Sequence, residues 1–292
     1  MTSVYISNES IQVIIGQKSG KKLKIKKIIT EPVAEGCILN GVITDDAALK
    51  SQLSELWAAY KLPKKGLHLM LESSSVNTKV VTLPNVSKQS YMLKLLAESF
   101  PDADDGEAVY DYKPLSASPD GGITVLGCQT ERAFVKSYIE LFESAKLKLE
   151  CIDLALTGQI RMAQFCKALS ERTYILVVID KNTVSQFLFI NGQYRFSNRQ
   201  RVIYNRDTPE LADELARLLS SMVQFNKSEK SGAEITDIYF CGFSDNEINS
   251  AALMLDGTMT FGYLPPMDEI VYPAAADNRW FSGCALSAGN LI

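Results

Sequence analysis

Two stretches of this chain share one plan, and the repetition limits how the chain can fold. Residues 177–194 read VVIDKNTVSQFLFINGQY: an apolar strand, a polar turn at Asp180–Thr183, a second apolar strand and a turn at Asn191-Gly192. The N-terminal stretch VYISNESIQVIIGQKSGKK repeats the plan, with its polar turn at Ser7–Ser10 and a glycine-containing turn after the second strand. Short apolar runs bounded by polar, asparagine or glycine turns are the pattern of β-hairpins. Two copies so far apart predict a duplicated, two-lobed architecture, and 292 residues suffice for two lobes.

The segments between the copies alternate strand and helix. Leu23–Ile29 alternates apolar residues with lysine and reads as a third strand. Asn40-Gly41 is a turn signal, and Asp45 with Asp46 places negative charge at the start of a helix that runs to Tyr60. Leu49, Leu53, Leu56, Trp57 and Tyr60 form its apolar stripe. Gly66–Leu71 and Val76–Leu83 read as strands. Ser87 is the expected cap of a helix to Phe100, and Thr130 of a helix to Lys146. Leu156–Leu169 reads as one helix. In the second half, Thr208-Pro209-Glu210 is a helix start, Ile235–Cys241 a buried strand, and Ser244 with Glu247 a capping box. Asp277–Leu291, rich in small residues, reads as a closing helix. The expected division is a first lobe over 1–73 and 149–170, an inserted α+β subdomain over 74–148, and a second lobe over 171–292.

Composition removes several function classes. The net charge of −4 gives no electrostatic case for nucleic-acid binding. No apolar run reaches the roughly 18 residues of a membrane span, and MTSVYISNES lacks the basic and apolar regions of a signal peptide. The six cysteines are scattered without a CxxC pair, which fits free thiols in a reducing cytosol and gives no metal site. His68 is the only histidine and lies in an apolar strand, so a Ser-His-Asp or Cys-His site has little to rest on. The lysines of KSGKKLKIKK read as the solvated face and edge of a strand; contact with an acidic partner or a membrane surface is the functional alternative.

Four stretches together carry a family resemblance: EPVAEGCILNGVITDDAAL, LHLMLESSSVNTKVVTLPNVSKQ, LFESAKLKLECIDLALTGQIRMAQF and DIYFCGFSDN. In order and spacing the chain resembles the PilM proteins of type IV pilus assembly, relatives of the cell-division protein FtsA. The resemblance implies an α/β, bilobed actin-like (ribonuclease H-like, duplicated) fold with a small inserted subdomain. It implies a cytoplasmic adaptor at the inner face of the cytoplasmic membrane, reaching the membrane only through its partner. That partner is the N-terminal peptide of a PilN-type bitopic protein, held in a groove between the first lobe and the inserted subdomain. The pilus motor ATPase is a second implied partner.

Actin-like ATPases hold nucleotide phosphates in two hairpin turns that usually carry Asp-x-Gly, where glycine lets backbone N–H groups approach. By this resemblance the turns are Ser7-Asn8-Glu9-Ser10 and Asp180-Lys181-Asn182-Thr183, and the adenosine segment contains Gly242-Phe243. The first turn has neither aspartate nor glycine, and the second keeps Asp180 and Thr183 but no glycine. Phe243 stands where the family tends to have a second glycine, in space that adenine or ribose needs. The expectation is a degenerate nucleotide site with no catalytic residue, no metal ligand and no resident cofactor. The alternative is an ATP- and Mg-dependent, filament-forming protein of the FtsA type. A sugar kinase of the same superfamily is a third reading, but neither Asp153 nor Asp180 lies in a glycine-rich setting.

Overall fold

The structure, a computed structural model, describes every residue except 104–105, 230–231, 256–258, 266 and 274–284. The chain forms two compact units. The first comprises 1–13 and 29–157, the second 14–28 and 158–292. Residues 14–28 and 158–170, assigned to the first lobe on sequence, thus cluster with the second unit.

The first unit is built on the N-terminal hairpin. Strand β1 (Thr2–Ile6) turns into β2 (Ser10–Ser19), followed by β3 (Lys22–Pro32). The far halves of β2 and β3 belong to the second unit. A two-residue hairpin, β4 (Ile38–Leu39) and β5 (Val42–Ile43), closes through Asn40 and Gly41, whose φ values of 52° and 81° are left-handed. Helix α1 (Asp46–Tyr60) is capped by Asp45, which accepts from the Ala48 N–H, and buries Leu49, Leu53, Leu56 and Trp57. Strand β6 (Leu67–Leu71) returns parallel to β1, pairing Thr2 with Leu67, and β10 (Leu149–Leu154) adds parallel to β6.

Between β6 and β10 lies a second, antiparallel sheet of β7 (Asn77–Pro84), β8 (Ala108–Ala117) and β9 (Gly122–Glu131), in the order β7-β9-β8. Helix α2 (Gln89–Ala97) packs Met92 and Leu96 against Leu83 and Val125 of this sheet. Helix α3 (Arg132–Ser144) follows β9 directly and buries Phe134, Tyr138, Leu141 and Phe142, with Phe142 edge-on to Trp57 at 6.5 Å. Neither expected cap acts as one. Helix α2 starts after Lys88 and α3 after Glu131, both without a side-chain cap bond. Thr130 instead donates to the Ser75 carbonyl, 2.8 Å away.

The second unit repeats the wiring. Strands β11 (Tyr174–Asp180), β12 (Thr183–Ile190) and β13 (Gln193–Arg201) form consecutive antiparallel pairs. Helix α6 (Pro209–Ser228), capped by Thr208 with proline at its start, leads to β14 (Asp237–Cys241), which pairs parallel with β11. The sheet order β13-β12-β11-β14, extended by β15 (Thr260–Tyr263), matches β3-β2-β1-β6, extended by β10. Leu211, Leu215, Leu218 and Leu219 of α6 pack on Ile175, Val177, Ile179 and Leu188 of the sheet. Helix α7 (Asp245–Met254) starts with the predicted capping box of Ser244 and Glu247.

Helix α4 (Ala155–Phe165) ends where Cys166 turns extended (φ −91°, ψ 114°), and the short α5 (Lys167–Ser170) follows, so the single helix expected over 156–169 is two. Strand β16 (Ile270–Val271) pairs parallel with Leu23 and Lys24. Most of the expected closing helix lies outside the described residues. Its end is α8 (Ala285–Ala288) with a 3-10 turn at Gly289–Leu291. There the small residue is required: a Cβ at Gly289 would stand 2.1 Å from the Gly158 carbonyl oxygen.

Candidate functional site

The turn joining β1 to β2 is closed upon itself. The Ser7 hydroxyl accepts from the N–H groups of Glu9 (3.2 Å) and Ser10 (3.0 Å), and the Ser7 N–H donates to the Ser10 carbonyl at 3.0 Å. Ser7 and Ser10 are both buried. Short hydroxyl side chains close turns in this way because they satisfy the backbone donors locally. These N–H groups are the donors a phosphate would need. Asn8 looks elsewhere: its Oδ1 accepts from the Gly41 N–H at 3.0 Å. The expected phosphate turn is thus internally satisfied and tied to the β4–β5 hairpin.

In the second unit Asp180 and Thr183 face each other at the end of β11 and β12, with Lys181 and Asn182 as the loop. Lys181 takes φ 52°, the left-handed conformation for which glycine is the default residue. The Asn182 carbonyl is taken by the Val202 N–H at 2.8 Å. Gly242 follows β14 with φ 83°, and a Cβ there would lie 2.7 Å from the Ile179 carbonyl oxygen. Close passage of the chain over β11 therefore accounts for this glycine without a nucleotide.

Phe243 turns into the core, edge-on to Phe240 at 5.2 Å, and the Arg206 guanidinium lies 5.8 Å above its ring centre. Arg206 also donates to both oxygens of the buried Glu247 (2.5 and 2.6 Å) and to the Gly242 carbonyl (2.8 Å). Glu247 accepts further from the N–H groups of Ser244 and Asp207. Burial opposes its charge, but the bonds from Arg206, Ser244 and Asp207 outweigh burial and hold its carboxyl below the usual range. The segment expected to hold adenosine is locked by its own salt bridge. In the first unit the amides of the Ser7–Ser10 turn are satisfied within the turn; in the second, Gly242 is required by packing and Phe243 is buried.

The third candidate is a groove of about 1070 Å³ wholly within the first unit. Its walls are the start of β7 (Asn77–Lys79), the segment after α2 with Phe100 and Asp102, the start of β8 with Glu107, the end of β9 with Gln129 and Glu131, the first turns of α3 and β5. One wall is held in place by several bonds. The buried Tyr138 of α3 donates to the Gly41 carbonyl at 2.6 Å, and Ser73 donates to the Asn40 carbonyl at 2.6 Å. Asn77 donates to Gln129 across the sheet at 2.9 Å. Val42 supplies an exposed apolar surface. Apart from the Asn40-Gly41 turn, these residues belong to no local turn or cap motif. The acidic PDADDGEA stretch reads as a loop until the strand ends around it converge.

Of the described cysteines, Cys37, Cys166 and Cys241 are buried. Burial pushes the Cys166 thiol up to about 12, away from the reactive thiolate. His68 lies 3.6 Å from Glu150. Among the described residues no three His, Cys, Asp or Glu side chains gather as metal ligands.

The repeated sheet wiring defines the class: an actin-like fold, mixed α/β and internally duplicated. The type IV pilus assembly protein PilM family matches residues 3–229, and the chain belongs to that family. The structure is similar to a PilM-PilN type IV pilus biogenesis complex, with a TM-score of 0.81 and 13% identity, covering 99% of this chain and 97% of that one. It is also similar to an actin-like ATPase-fold protein of Bacteroides thetaiotaomicron (TM-score 0.52, 11% identity, 98% and 94% covered). A further likeness is to the cytoplasmic domain of EpsL, an inner-membrane component of the Vibrio cholerae type II secretion system (TM-score 0.51, 9% identity, 97% and 93% covered). No curated protein matches by sequence.

Proposed function

We propose that this chain is a cytoplasmic adaptor of a type IV pilus assembly platform, peripheral to the inner face of the membrane. It holds the N-terminal peptide of a PilN-type bitopic protein in the first-unit groove and so links that protein to the motor ATPase. The groove carries the proposal. Its volume is at the upper end for a ligand pocket, and its walls are preset by hydrogen bonds, which lowers the ordering cost of binding. One similar solved structure is a PilM-PilN complex, so a partner of this type suits the family. No helix among the described residues is long and apolar enough to cross a membrane, which suits attachment through a partner.

The same reading makes the chain a scaffold without nucleotide hydrolysis. The closed Ser7–Ser10 turn supports this, because its amides are already bonded.

The test is fluorescence polarisation with the labelled N-terminal peptide of the PilN-type protein from the same organism. Saturable binding is expected, weakened at least tenfold, about 1.4 kcal/mol, by Val42→Asp, which alters an exposed wall residue. A peptide that fails to bind the wild-type chain removes the adaptor mechanism.

A further inference from the structure

The groove's charge is one-sided, and that selects its occupant. Glu107 and Glu131 stand at the end of the β8–β9 ladder, where Ala108 pairs with Glu131 and the Arg132 N–H donates to the Glu107 carbonyl. Asp102 lines the same groove. All three are exposed, and no ion pair joins any of them to a described cation. Among the described lining residues one is basic, Lys79, and its single charge leaves the three carboxylates in excess. Lys79 donates to the Ser99 carbonyl at 2.8 Å and lies 5.2 Å above the Phe100 ring. Arg132 does not line the groove.

Resting on the groove as the peptide site, we propose that it selects an extended segment carrying basic side chains, with Glu107 and Glu131 as the specificity-determining pair. Apolar residues of the segment meet Val42 and the α3 wall, and its cations meet the carboxylates. Opposite charge at the rim suppresses acidic competitors and speeds encounter. The sign is set locally, because the protein's net charge of −4 is too small to impose it.

The test uses two blocked heptapeptides, one alternating leucine with lysine and the other leucine with glutamate, titrated calorimetrically into the full chain at low and high salt. The lysine peptide is expected to bind at least tenfold tighter than the glutamate peptide and to weaken as salt rises. The double variant Glu107→Gln, Glu131→Gln is expected to lose about tenfold in affinity for it, while Glu143→Gln, exposed on α3 and outside the groove, loses nothing. Equal affinity for both peptides, no binding of either, or an unchanged double variant overturns the inference. The adaptor reading is tested by the partner's own peptide, so the two fail separately.

Discussion

Arg206 and Glu247 show how one pair can hold a whole segment. The Glu247 carboxylate is buried and accepts four hydrogen bonds, two of them from Arg206. Removing the cation strands a buried charge, which costs more than the pair itself contributes. Arg206→Ala is therefore expected to destabilise the protein by about 1.5–3 kcal/mol in urea denaturation. A loss within 0.5 kcal/mol would show that the bond is not formed in solution. The sign of the pH dependence follows from the carboxyl being held low in the fold. Its stabilisation is present above the unfolded value of about 4.3 and is lost as pH falls through the lower folded value. Stability measured from pH 7 downward should thus fall less steeply in Glu247→Gln than in the wild type; equal slopes would assign the acid sensitivity to other carboxyls.

At the scale of elements, two helices end with an unusual residue. Helices α1 and α3 both close with a Schellman motif. In α1 the Leu62 N–H reaches the Trp57 carbonyl and the Lys61 N–H the Ala58 carbonyl; in α3 Leu147 reaches Phe142 and Lys146 reaches Glu143. The left-handed position is filled by Lys61 (φ 51°) and Lys146 (φ 58°) rather than glycine. An L-residue there costs roughly 1–2 kcal/mol, and glycine returns part of that gain as chain entropy. Lys61→Gly and Lys146→Gly should each stabilise by about 0.5–1 kcal/mol, read as a higher urea midpoint. Gly127→Ala should do the opposite. A Cβ there would meet the buried Leu96 at 2.3 Å, where β9 passes under α2, and overpacking of this kind costs about 1–3 kcal/mol. An unchanged melting temperature would mean that α2 rides loosely on its sheet.

Legibility divides along the same lines. Hairpins and caps with local causes are readable: Asn40-Gly41, Asp45, Thr208-Pro209 and the Ser244–Glu247 box all act as their types dictate. Ser87 and Thr130 mislead because a hydroxyl near a helix start can serve another partner, and Thr130 bonds the Ser75 carbonyl, distant in sequence. The two polar turns are readable as turns. Their actual roles are not, since Asn8 works by reaching Gly41, which tertiary structure alone brings near. The groove is least readable, because Lys79 and Glu131 come from two strands and Glu107 from the turn before a third, with no shared spacing.

The whole molecule keeps the wiring of its fold twice, with different turns in the two copies. The order β6-β1-β2-β3 recurs as β14-β11-β12-β13, a register of strands that burial enforces in both copies. Turn residues carry no such burden, and under the proposed scaffold reading no phosphate selects glycine in them. Lys181 holds a left-handed turn without it, and Ser7 satisfies the amides that glycine would have bared. A ligand that binds only the folded state raises its stability by RT ln(1 + [L]/Kd), about 4 kcal/mol at a thousandfold excess over Kd. For a chain of this size 1 kcal/mol moves the melting temperature by roughly 2–4 °C. Millimolar Mg-ATP acting on a micromolar site would therefore raise it by roughly 8 °C or more. The expected result is a shift within about 1 °C by differential scanning fluorimetry, against the several degrees a working site requires. A rise of that larger size, absent with Mg-AMP, would restore the nucleotide to this fold and end the reading of the chain as a scaffold alone.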